Sequence, residues 1–145
     1  MTADSFLAVA SILAGFAVTV LMFRIQRELQ VRKDHPDWPT WVAWADYLVF
    51  GTIVLSLIFV VLLLVVLGKE RRVLAVAAGS CAAAAILMTA YPFAILDHYR
   101  IGMGLGREGG RKKGEPIEKV IVVVAYVIAA LTLCATAALR WSIAV

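Results

Sequence analysis

Charge is almost missing from the long apolar stretches of this chain. Across residues 6–23, 41–67, 73–96 and 120–139 there is no lysine or arginine, and the one carboxylate is Asp46. Two histidines and two cysteines in 145 residues leave little for a metal site. Asp97–His98 is an adjacent acid–histidine pair, but there is no CxxC, no HExxH and no nucleophile–base pattern. Thiol exchange and metal-assisted hydrolysis therefore have no residues to run on, and no enzymatic activity, cofactor or metal is expected. The glycine-rich stretch RIGMGLGREGGRKKGEP lacks both a preceding strand and the GxxxxGK[ST] order of a phosphate-cradling loop. Basic residues are also missing before the first apolar run: residues 1–5 carry Asp4 and no lysine or arginine. A cleaved leader has the opposite charge order, so the first run is expected to be a retained span.

What the chain has is apolar length. It is 63% hydrophobic with a mean hydropathy of +0.91, whereas soluble domains are about half apolar. The four runs approach or exceed the ~20 residues that a helix rising about 1.5 Å per residue needs to cross about 30 Å of hydrocarbon. A membrane β-barrel would show shorter segments of alternating polarity. The expected fold is an all-α integral membrane protein of plasma or bacterial inner-membrane type. It is a single domain over 1–145, with four transmembrane helices in an up-down bundle joined by short loops.

Orientation follows from the placement of lysine and arginine, which concentrate on the cytoplasmic side. Loops 24–40 and 97–119 together hold ten of the fourteen, so both are expected in the cytoplasm and both termini outside. The GKERR turn between spans two and three carries three and runs against this trend. Arg107, Arg111, Lys112 and Lys113 form a basic cytoplasmic loop suited to anionic lipid; no nucleic-acid partner is expected. RIQRELQVRK extends span one as a helix, with Arg24–Glu28 at the i,i+4 spacing that lets side chains pair. Trp38, Trp41 and Trp44 mark the interfacial entry of span two.

Two further patterns concern helix contacts. Ser11/Gly15 and Ala10/Ala14 in span one and Ala75/Gly79/Ala83 in span three are small residues at four-residue spacing, which lets helix backbones approach closely. These faces are expected at the packed centre or at an oligomer contact. A register centred on Glu70 sets residue i of span two level with about 140 − i in span three. Val42, Asp46, Val49, Ile53, Ser56 and Val60 then face Cys81, Ala84, Met88, Tyr91, Ile95 and His98. A carboxylate in an apolar span needs a partner, and Tyr91, His98 and Arg100 are the expected ones. Asp46, Tyr91, Asp97, His98 and Arg100 thus make up a predicted intramembrane polar cluster.

The function these features suggest is a non-enzymatic, homo-oligomeric, channel-like or pore-forming component. The alternative is a membrane anchor or accessory subunit that binds a partner protein through its basic cytoplasmic loops. A lipid-acting enzyme using Asp46, Asp97 and His98 ranks third, because ionisable residues near an interface more often form ion pairs.

Overall fold

A computed structural model describes residues 2–34, 36, 43–98 and 115–142. α1 covers Ala3–Asp34. Thr2 caps it, its hydroxyl accepting the Ser5 N–H at 3.3 Å. Asp4 in the first turn and Arg32 and Lys33 in the last suit the helix dipole. α2 covers Trp44–Leu67 and contains a π-helical stretch, Leu57–Leu62, at its middle. It ends at Gly68, whose φ of 77° lies in the left-handed region that costs a side-chain-bearing residue most. The turn is short, and α3 begins at once as Arg71–His98. α4 covers Glu115–Ser142, with Pro116 in its first turn, where a missing backbone donor costs nothing. All four helices are long and apolar enough to span a membrane.

The centre of the bundle is α3. Of its apolar window 56% is buried, against 17–28% in the other three. The cause is its texture: Ala75, Ala77, Gly79, Ser80, Cys81, Ala83 and Ala84 are all buried, and side chains this small let neighbours close in on several sides. Gly79 marks a close approach. A Cβ added there would meet Leu133 of α4 at 3.0–3.3 Å, backbone atoms included. Of the small-residue positions Ala75, Gly79 and Ala83, all three are buried, and at Gly79 the close neighbour is α4.

Span one divides differently. Ala10, Ala14 and Ala17 are buried, while Ser11 and Gly15 are exposed, and nothing lies within 4 Å of a Cβ built at Gly15. Consecutive helical residues point about 100° apart, so the alanine stripe and the Ser11/Gly15 stripe cannot both face inward. The alanines do, and the expected Ser11/Gly15 contact is not part of the protomer's interior.

On α2 the inward stripe is Ala45, Leu48, Val49, Thr52, Ser56, Val60 and Leu64. Val49, Ser56 and Val60 match the expected seam; Thr52 stands where Ile53 was predicted. α2 packs against α1 and α4 as well as α3, so its buried stripe is wider than the seam of a two-helix pair. On α3, Cys81, Ala84 and Tyr91 are buried, and Met88 and Ile95 are half-buried. The outer surface is apolar on every helix, with Ile12, Val65, Phe93 and Leu131 each more than 60% exposed.

Candidate functional site

Among the described residues, the buried charged side chains gather at one end of the bundle, where α1 leaves the apolar region and α2 and α4 begin. Arg24 is the first charged residue after the apolar run of α1, and only 6% of its side chain is exposed. Its Nε donates to Asp46 Oδ1 at 3.2 Å, and its Nη1 to Glu28 Oε1 at 2.8 Å. The Asp46 side chain is 16% exposed and that of Glu28 33%. One guanidinium thus bridges two carboxylates, one on its own helix and one on the first turn of α2. Such charge-assisted bonds gain strength as water is excluded.

Beside this pair, α2 starts without a cap of its own. Its N-cap residue, Ala43, has no side-chain oxygen to offer, so the first backbone donors need acceptors from elsewhere. Glu118, the fourth residue of α4, supplies one: the Ala45 N–H donates to Glu118 Oε1 at 2.8 Å. This carboxylate is 1% exposed and sits at the positive end of the α2 dipole, where an anion is stabilised. One turn further along, the Tyr126 hydroxyl of α4 donates to the Tyr47 carbonyl of α2 at 2.6 Å and lies directly over Gly51. Lys119 sets its Nζ 4.8 Å from the centre of the Trp44 ring, a cation–π contact. Trp44 in turn packs on Tyr47 at 5.7 Å between centroids.

Of the predicted polar cluster, Asp46 is in this site, and its ion pair comes from Arg24 of α1 rather than from α3. Tyr91 is buried in the apolar cluster that adjoins it. Asp97 and His98 close α3, with side chains outside the described residues; Arg100 and the basic loop residues Arg107, Arg111, Lys112 and Lys113 lie outside them altogether. Arg24 was legible in principle. The two ends of a helical hairpin sit at equal depth, so the first charge after span one and the only acid of span two face each other across the connection. Glu118 falls in the stretch 97–119 expected to be loop, yet it is helical, because α4 begins at Glu115, five residues before the apolar run proper. The missing cap at Ala43 was the available signal.

Chemically, Arg24, Glu28, Asp46 and Glu118 carry three formal negative charges against one positive, with Lys119 adjacent. The described residues include no group of three or more His, Cys, Asp and Glu placed to hold a metal ion. Both cysteines are free; Cys81 is buried with Sγ 3.7 Å from the Phe6 carbonyl oxygen. The arrangement ties the start of α2 to both α1 and α4 through polar contacts in apolar surroundings. Comparison of the chain with protein-family models, with curated proteins and with solved structures found no match.

Proposed function

We propose that this chain is a small polytopic membrane protein whose helices cross the bilayer up and down, with both termini outside. In this reading it acts as a non-enzymatic, homo-oligomeric, channel-like component. The observation that carries it is the outer face of α1. Ser11, Gly15 and Thr19 recur every four residues on an exposed face, between Ile12 and Phe16, which are also exposed. The Thr19 hydroxyl returns to the Gly15 carbonyl at 2.8 Å, so the stripe is shallow and its threonine satisfied. Lipid supplies no hydrophobic drive between helices, and grooves of small residues are where they associate. A second copy presents the same stripe and matches it by symmetry. The protomer's own interior is filled by Leu48, Leu87, Val49 and Val60, so a permeation path runs between copies, beside Ser11 and Thr19. In this reading anionic lipid is the partner of Arg107, Arg111, Lys112 and Lys113, each charge being worth about 1 kcal/mol at such a surface.

Purified protein in nanodiscs tests this directly. A discrete multimer by native mass measurement, with ion flux in liposomes that Gly15→Leu abolishes, is the expected result. A monomer inert in flux assays sinks it.

A second reading, the accessory subunit, is favoured by the far end of α1. The helix continues about 15 Å past Arg24 to Asp34, with Ile25 and Leu29 exposed one turn apart among Arg27, Arg32 and Lys33. An apolar pair on a charged helical extension fits a partner protein. Co-purification of a partner that is lost with Ile25→Ser/Leu29→Ser would select this reading.

A further inference from the structure

The apolar core is in two pieces. One gathers Leu48, Val49, Leu87, Ala94 and Val122 near the ionic end. The other gathers Phe6, Ala10, Val60, Leu64 and Val73 toward the Gly68 turn. Between them lie three hydroxyl groups, Thr52, Ser56 and Ser80, all with 0% exposure.

Thr52 is accounted for. Its hydroxyl donates to the Leu48 carbonyl at 2.9 Å and lies 3.4 Å from the Ala84 carbonyl. Returning a hydroxyl to the carbonyl four residues back is the usual arrangement in a helix, and Thr19, Thr89, Thr132 and Thr136 all follow it. Ser56 and Ser80 do not: neither Oγ has a hydrogen-bond partner among the described residues. They also belong together. The Thr52–Ala84 contact sets the register of α2 against α3. One turn forward on α2 and one turn back on α3 bring Ser56 opposite Ser80. At the same level α2 changes pitch, its π-helical stretch starting at Leu57. Single π turns inside α-helices recur at functional sites.

We propose that Ser56 and Ser80 form a water-binding site at mid-length of the bundle, with one water molecule bridging the two hydroxyls. A buried water needs two to four polar partners. The two serine hydroxyls, each able to donate and to accept, supply that minimum. A metal cation is the wrong guest, because the layer holds no carboxylate and a buried charge needs a counter-charge. Asp46 is ten residues back along α2, about 15 Å away. Small neighbours make room: Ala77 and Ala84 flank Ser80 on α3 and are buried.

The test is water-to-protein magnetisation transfer by NMR on the full chain in nanodiscs, paired with a double-mutant cycle on unfolding. Water cross-peaks are expected at the amides of residues 56–57 and 80–81, and the Ser56→Ala/Ser80→Ala protein should lose them while Thr89→Ala keeps them. Each single alanine substitution should raise the unfolding equilibrium constant several-fold, and the double variant should be no less stable than the worse single. Missing cross-peaks in the unaltered protein overturn the site whether or not the variants fold. Single substitutions that are neutral or stabilising, with additive effects, overturn it as well. A sodium-dependent rise in melting temperature that the double variant loses replaces water by a cation and also overturns it.

Discussion

At Arg24, charge and burial meet most sharply. A guanidinium that is 6% exposed is tolerable because Asp46 and Glu28 both bind it. Removing one partner of a buried pair leaves an uncompensated charge, which costs more than the pair itself contributes. Asp46→Leu leaves the guanidinium only Glu28 and should destabilise the protomer by about 1–3 kcal/mol, and Arg24→Met/Asp46→Leu should recover part of that loss. Reversible unfolding in mixed micelles reads both; equal losses in the single and double variants would mean the Arg24–Asp46 bond contributes nothing specific. Glu118 offers a related test. Glu118→Ala strands the Ala45 N–H and should cost about 1–3 kcal/mol, whereas Glu118→Gln keeps an acceptor and should cost less. Gly51 is constrained by space alone. A methyl group there would collide with the Tyr126 hydroxyl and meet Leu87 Cδ1 at 2.9 Å. Gly51→Ala should lower stability, and Tyr126→Phe, which removes that hydroxyl, should relieve part of the effect in the double variant.

Among the helices, two glycines at similar sequence settings behave oppositely. Gly79 lies against Leu133 of α4 with no space for a side chain, while Gly15 faces open space. Gly79→Leu should force α3 and α4 apart and lower protomer stability. Gly15→Leu should leave unfolding unchanged and alter only the assembled mass. Unfolding curves and native mass, measured on both variants, separate intrachain packing from association. If Gly15→Leu destabilises the monomer, the outer face of α1 is not free. The two stripes of α1 looked equivalent in sequence because both are small-residue repeats. Which one turns inward depends on where α2 and α3 stand, and no local pattern encodes that.

For the whole molecule, the ten-to-four distribution of basic residues sets the expected sidedness. Both contacts at the opposite ends of α1 fit a single thickness: Lys69 reaches Asp4 at 3.1 Å and Arg24 reaches Asp46 at 3.2 Å. The Lys69–Asp4 pair is mostly exposed and adds little to stability, but it places the start of α1 beside the Gly68 turn. Cysteine labelling checks sidedness, in a background where Cys81 and Cys134 are replaced by alanine. An impermeant reagent on intact cells should modify Ser142→Cys and spare Lys112→Cys. The opposite pattern inverts the molecule.

Composition and run length alone determined that this chain makes four long apolar helices, because each ~20-residue run has one stable way to satisfy its backbone away from water. Small-residue spacing marked spans one and three alike, without distinguishing the packed centre from an outer contact. The tertiary structure decided the partners. Asp46 met Arg24, Glu118 capped a helix 73 residues away in sequence, and Thr52 took the seam position expected for Ile53. Partner choice depends on how each helix is rotated about its own axis. That rotation is set jointly by all the neighbours a helix packs against, so it emerges only when the bundle is assembled.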